Sequence, residues 1–471
     1  MDAVLFQQML RDALALAPTP CQERLFSRLA EFVSQYGECD LLLVRGYAGT
    51  GKTSSVAAFV QVLRQLHQKY VLLAPTGRSA KVFASFASDR TATIHKHIYR
   101  QKTLRSALGE FELNVNKARD TFYIIDEASL ISSSDALMQD SVFGSGDLLS
   151  DLISFVRSGV DNKMIFVGDR GQLPPVGMEV SPALDEDYMS AFGPVMTADL
   201  TTVVRQASGS GILTNATRIR EALERGQTDL PKLDAKSFDD TERIGGGELV
   251  DALSDAYVRY GADNVAVLCR SNKRANRYNE GIRAMVLDRE EQLVRGDQLM
   301  VVKNCYQFKC DTEELDFIAN GDIANLIKVS HYEERYGLHF AEAKLGFPDY
   351  NDAVVTAKII LDTLTSETAA LSREQQEALF RGLDEDYAMD IKAARKRYAA
   401  IREDPYFNAL QIKYAAAITG HKSQGGQWDC VFIDNPFWKE TVTDDLKWLY
   451  TAITRAVHKV FFVNFKDDLF E

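Results

Sequence analysis

The residues best equipped for chemistry stand together in Gly46-Tyr-Ala-Gly-Thr-Gly51-Lys52-Thr53. Glycines at this spacing let the backbone curl until several N–H groups and the start of a helix point at one anion. Lys52 brings a mobile positive charge for β- and γ-phosphates, and the Thr53 hydroxyl is placed to ligate Mg²⁺. The surroundings agree. Leu41 to Val44 reads as a buried strand, and Ser54 to Arg64 carries a helical pattern. A glycine-rich turn before an ordinary core helix is the plainer alternative, but strand, loop and helix in this order favour a phosphate-binding loop. The loop implies a nucleoside triphosphate site built from Gly46, Ala48, Gly49, Thr50, Gly51, Lys52, Thr53 and Ser54.

Two more apolar runs end in polar tips. Phe122-Tyr-Ile-Ile-Asp126-Glu127 buries carboxylates at a strand end, which is costly without a cationic partner; a Mg²⁺-bound nucleotide supplies one. Asp126 would hold the metal, directly or through water, and Glu127 would orient or deprotonate an attacking water. Taken alone, such acids often just cap the next helix. Ile165-Phe-Val-Gly168-Asp169-Arg-Gly-Gln172-Leu-Pro-Pro175 has a glutamine able to sense a γ-phosphate and two prolines that stiffen the turn beyond it.

Elements must hold these tips together. With Val71–Ala74, the runs alternate with helical segments through the first two hundred residues, which predicts a mostly parallel sheet covered on both faces. Ligands then gather at the carboxyl ends of the strands. Gly109 before Phe111, Leu113 and Val115 suggests a small hairpin within 99–120. A second α/β unit opens after Leu200, with a strand at Asn264–Cys269. Short β-rich runs around Asn320-Gly321-Asp322 and a charge-rich helical stretch near 368–402 interrupt it. The α/β pattern resumes near Ile412.

Composition sets the outer limits. The 471 residues are 46% hydrophobic and 26% charged, as in an ordinary globular protein, and no apolar run approaches the length of a membrane span. A net charge of −13 excludes a surface coated in basic patches; a narrow channel needs only local positive potential. Six scattered cysteines without a Cys-x-x-Cys pair, and a start lacking the basic residues of a secretory signal, lead us to expect free thiols in the cytoplasm.

Taken in order, Gln22, Gly46–Thr53, Ala74-Pro75-Thr76, Asp126-Glu127 and Gly168–Pro175 resemble the motifs of a superfamily 1 helicase. More narrowly they resemble the RecD-like and phage Dda-like 5′-to-3′ branch, superfamily 1B. Val204-Arg205-Gln206, Arg270-Ser-Asn272, Asn320-Gly-Asp322, Thr419-Gly-His-Lys-Ser-Gln-Gly425 and Leu449-Tyr-Thr-Ala-Ile-Thr-Arg455 extend the likeness through the second half. The resemblance implies an α/β fold of two RecA-like P-loop domains, with a small hairpin insertion in the first and an SH3-like β plus helical insertion in the second. It implies boundaries at 1–98 and 121–199 for domain 1A, 99–120 for 1B, 200–293 and 409–471 for 2A, and 294–408 for 2B.

The same resemblance implies ATP and Mg²⁺ in the cleft between the two domains. Gln22 would read the adenine edge, Gly425 would join the nucleotide contacts, and Arg205 and Arg455 would act as arginine fingers. A guanidinium suits that role because charge spreads over the γ-phosphoryl oxygens in the transition state. Pro75, Thr76, Thr93, His95, Thr419, His421, Lys422 and Ser423 match positions lining a single-strand path. His95 and His421 read equally well as structural residues, and Arg78 and Lys81 as phosphate contacts or a helix start. Trp428 and Trp438 fit core packing better than base stacking. The insertion at 99–120 stands in the place of the family's strand-separating pin, with no identifiable pin residue.

The expectation is therefore a monomeric 5′-to-3′ DNA helicase working on single-stranded DNA and single-strand/duplex junctions, in repair or recombination. An RNA helicase or non-unwinding translocase is one rival. An ATP-switched binding module is a rival of another class, weakened by Glu127, Gln172, Arg205 and Arg455 occurring together.

Overall fold

The computed structural model describes the chain apart from residues 1, 15, 36–38, 102–110, 134–144, 203–208, 306–307, 311–314, 316–317, 351 and 437–440. Two helices lead in. Asp2 caps α1 (Ala3–Ala13), and Thr19 and Gln22 form a reciprocal capping box on α2 (Pro20–Ser34), whose first position is the proline.

The first sheet is built from β1 (Leu41–Gly46), β2 (Lys69–Ala74), β3 (Thr91–Thr93), β6 (Thr121–Ile125), β7 (Lys163–Gly168) and β8 (Val195–Leu200). Its order is β3-β2-β6-β7-β1-β8, and every pairing is parallel. Helices α3 (Lys52–Gln65), α4 (Gly77–Ala87), α5 (Ile94–Ile98), α6 (Leu148–Arg157) and α7 (Glu186–Ser190) connect the strands. All six residues of β1 are buried, as a central strand covered on both faces requires. On α3, Val56, Phe59, Val60 and Leu63 pack beside Leu42 and Val44 of that strand. Because β7 lies between β6 and β1, the tips of these three strands converge at one edge. An antiparallel pair, β4 (Tyr99–Gln101) with β5 (Phe111–Leu113), forms the expected hairpin.

A second, five-stranded parallel sheet has the order β17-β10-β18-β19-β9. It contains β9 (Thr241–Ile244), β10 (Val265–Cys269), β17 (Ala417–Thr419), β18 (Trp428–Asp434) and β19 (Ala456–Val463). Its helices are α8 (Gly211–Glu224), α9 (Leu249–Tyr260), α10 (Asn272–Gly281), the short α13 (Gly420–Ser423) and α14 (Val442–Ile453). Between α10 and β17 lies a mostly antiparallel sheet of β11 (Gln298–Val301), β12 (Lys309–Cys310), β13 (Ile323–Arg335), β14 (Leu338–Phe347), β15 (Ala353–Ile360) and β16 (Leu410–Tyr414). The pairing of β15 with β16 closes it into a small barrel. Helices α11 (Arg373–Asp390) and α12 (Ala394–Glu403) pack on the barrel through Leu379, Leu383 and Ile401, against Leu338, Phe340 and Ile360.

Ile412 corrects one expectation. It sits in β16, paired with the barrel strand β11, and the α/β sheet resumes only at Ala417. The reason is burial: all five residues of β16 are enclosed, so a barrel strand reads like a core strand of a parallel sheet. The two-domain α/β architecture with a barrel-like insertion is otherwise as expected.

Candidate functional site

The loop after β1 is held in shape by its own hydrogen bonds. The Thr50 hydroxyl donates to the Tyr47 carbonyl at 2.8 Å, and Gly49 and Gly51 take φ values of +77° and +80°, a region that L side chains enter only with strain. Helix α3 starts at Lys52 without a side-chain cap, so its first N–H groups face the loop. The Lys52 ammonium donates to the carbonyls of Gly46 and Tyr47 at 2.5 and 2.9 Å and lies 3.7 Å from Asp169 Oδ2. Thr53 follows in the first helical turn, partly buried, and Ser54 is exposed.

Asp126 and Glu127 leave the tip of β6 beside this loop. Burial first, and the neighbouring Glu127 second, push the Asp126 carboxyl up to about 7; the Lys52 charge works in the opposite direction. Glu127 holds a left-handed φ of +49°, a strain of the kind found at functional sites. Thr53 and Asp126 are hard oxygen donors, so this pair fits Mg²⁺ held mainly by a nucleotide's phosphates. Among the described residues no group of three His, Cys, Asp or Glu side chains gathers to form a metal site without a nucleotide. From β7, Asp169 is fully enclosed and accepts from Gly171 N–H, and Gln172 is buried.

The second α/β unit reaches this edge through α14. The Tyr450 hydroxyl accepts from Ala48 N–H at 2.8 Å and donates to Asp169 Oδ2 at 2.9 Å. One residue on, Thr451 Oγ1 accepts from Leu173 N–H at 2.9 Å, and Gln424 Nε2 donates to the Leu173 carbonyl at 2.8 Å. Leu173 also joins the apolar cluster of Leu446, Leu449 and Ile453 on α14. The loop after β7 is thus fastened to the second unit by two hydrogen bonds and a buried leucine.

The other expected residues are placed as follows. Gln22 is buried, with its carbonyl on Thr19 and its amide on Ser55 Oγ at 3.1 Å, next to α3. Gly425 has φ +75°, and a β-carbon there would stand 3.0 Å from the Ser79 Cβ of α4, so the two units touch at this point. Arg455 is buried and donates within its own unit, to Thr451 O, Gly426 O and Thr454 Oγ1. Arg205 and Trp438 lie outside the described residues.

Along the proposed strand path, Thr76 and Thr93 cap α4 and α5, with Pro75 partly buried beside the first cap. Burial lowers the His95 pKa to about 4, which keeps the ring neutral. Thr419 precedes α13, and the buried Ser423 hydroxyl bonds the Gly420 carbonyl. The Lys422 ammonium donates to Asn320 Oδ1 at 2.5 Å, and its pKa is pushed down to about 8 by burial first and Lys413 second. His421 titrates below its usual range through burial and then the Arg270 charge. Two side chains left open by the sequence reach other elements: Arg78 stacks 4.1 Å over the buried Trp428 ring, and Lys81 lies over Tyr350. Asp169 and Tyr450 stand in recognisable motifs, but nothing in the sequence signals the contact that they make.

The fold and site define a P-loop protein with two parallel-sheet units meeting at one nucleotide edge. Known proteins agree. Residues 30–249 match an AAA domain model, and residues 414–463 match the UvrD-like helicase C-terminal domain. An uncharacterized protein of Methanocaldococcus jannaschii is 22% identical over 89% of this chain and 36% of its own length. The ATP-dependent RecD2 DNA helicase of Deinococcus radiodurans is 27% identical over 42% of this chain and 24% of its own. The chain thus spans little more than a third, or less, of these relatives. A solved Pif1 helicase, studied unwinding forked double-stranded DNA, shares the fold with a TM-score of 0.50 and 14% identity, covering 97% of this chain and 94% of its own. The expected resemblance to a RecD-like helicase is borne out, and the solved Pif1 helicase shares the fold.

Proposed function

We propose that this chain is an ATP-dependent DNA helicase that moves 5′-to-3′ along single-stranded DNA and unwinds duplex. The observation that carries the proposal is the fastening of the β7 loop to the second unit, with Leu173 bonded to Thr451 of α14 and to Gln424 after α13. Through that joint, events at the γ-phosphate reach the second unit. Lys52 binds and orients the triphosphate, Glu127 positions the attacking water, Gln172 senses the γ-phosphoryl group, and Arg205 and Arg455 complete the site on cleft closure. Thr53 and Asp126 would hold Mg²⁺, which would supply charge neutralisation at the phosphates. Gln22, Gly46, Ala48, Gly49, Thr50, Gly51, Ser54 and Gly425 make up the rest of the nucleotide site.

The single strand runs over Pro75, Thr76, Thr93 and His95 of domain 1A and Thr419, His421, Lys422 and Ser423 of domain 2A. The domains divide near 99–120, 200 and 294, and, with β16 in the barrel, just before Ala417. Alternating grips on this path turn opening and closing of the cleft into steps. The DNA named for the solved Pif1 helicase and for the RecD2 relative supports DNA as the track. ATP hydrolysis measured with and without oligo-dT, oligo-rU and blunt duplex DNA tests the proposal. Strong stimulation by oligo-dT is expected, and turnover indifferent to nucleic acid would refute it.

A further inference from the structure

Tyr450 has no part in the nucleotide site as read from motifs, yet its hydroxyl sits inside it. It accepts the Ala48 N–H at 2.8 Å and donates to Asp169 Oδ2 at 2.9 Å, and both Tyr450 and Asp169 are enclosed by protein. The ring is held edge-on to Tyr47, with centroids 6.4 Å apart at 84°. Lys52 Nζ lies 3.7 Å from the same Asp169 oxygen. Three groups therefore meet at one point: a P-loop amide, the P-loop ammonium, and a phenol carried by the opposite unit.

Ala48 lies in the early part of the loop, away from the helix start that faces the β-phosphate. Its N–H shares the Tyr450 hydroxyl with Asp169, the β7-tip carboxylate beside Lys52, whose ammonium serves the β- and γ-phosphates in the reading above. An amide N–H serves one acceptor well at a time. Resting on the nucleotide reading above, we infer that Tyr450 is a positioning residue that discriminates triphosphate from diphosphate. Its hydroxyl holds the Ala48 N–H until a γ-phosphate takes that donor. Lys52 leaves the carbonyls of Gly46 and Tyr47 for the phosphates in the same exchange. Tyr450 keeps its bond to Asp169, so α14 stays fastened to the β7 tip while the Ala48 N–H passes to the third phosphate. A β-phosphate alone, bound at the helix start, leaves the contact in place.

The test is Tyr450→Phe in the full chain, which keeps the ring in its packing and removes only the oxygen. Binding of AMP-PNP·Mg²⁺ and ADP·Mg²⁺ is measured for both proteins by calorimetry. Without the phenol oxygen the Ala48 N–H has no partner until a γ-phosphate arrives. AMP-PNP should therefore bind roughly 3- to 30-fold tighter, with ADP affinity changed less than about twofold. Equal shifts for both nucleotides, or none for either, overturn the exchange while leaving the nucleotide site standing. Failure of the unaltered protein to bind either nucleotide overturns the underlying site instead. Circular dichroism confirms that the Tyr450→Phe protein is folded.

Discussion

Replacing Thr451 by valine isolates the joint between the two units. The side chain is completely buried, accepts Leu173 N–H at 2.9 Å and donates to the Lys447 carbonyl of its own helix at 2.8 Å. Valine matches threonine in shape, so no cavity opens. What is lost is the acceptor for a buried backbone N–H, a loss of about 1–3 kcal/mol. The Lys447 carbonyl keeps its helical partner and contributes little. Leu173 and Thr451 belong to different units, so the cost falls on the closed arrangement of the cleft rather than on either sheet. At 1.4 kcal/mol per tenfold, closure becomes about 5- to 150-fold less favourable. Steady-state ATP turnover with saturating oligo-dT should fall within that range, with the secondary structure and melting of each unit retained. Turnover within twofold of the unaltered protein would refute the reasoning, because it would mean that closure does not draw on this bond.

Lys52→Ala should abolish ATP turnover, since its ammonium is the mobile charge at the loop; hydrolysis retained in a phosphate-release assay would remove the P-loop assignment. Arg455→Ala should slow hydrolysis about 10³-fold or more while AMP-PNP binding stays measurable, and a near-normal rate would end its role as a finger. Burial holds His95 neutral with a pKa of about 4, below the ordinary value of about 6.5 in an unfolded chain. The unfolded state then takes up a proton that the folded state does not, so stability falls as pH drops from about 6.5 to 4, by about 1–3 kcal/mol. Urea unfolding across that window should show a shallower pH slope for His95→Gln, and an identical slope would show the ring to be solvated.

The motifs were legible because each stands where an apolar run meets punctuation. Gly46–Thr53, Asp126-Glu127 and Gly168–Gln172 all end buried strands, and the sheet order brings those ends to one edge. β9 and β8 left a weaker trace. Thr241–Ile244 is too short for a period to show, and Val195–Leu200 mixes polar with apolar residues. At Thr19 and Gln22 the ambiguity is of another kind: a glutamine near a helix start serves a cap as well as a base edge. The bond between Tyr450 and Asp169 spans 281 positions, and no local pattern carries information over that distance. Arg78 shows the same limit, since its partner Trp428 belongs to the other unit.

Strand separation on partial duplexes with a single 5′ or 3′ tail, in the presence of ATP and Mg²⁺, tests the central claim most directly. The account predicts unwinding of the 5′-tailed DNA, none of the 3′-tailed DNA, and none in the Lys52→Ala protein. Unwinding that prefers the 3′ tail, or ATP hydrolysis without strand separation on either substrate, would contradict it.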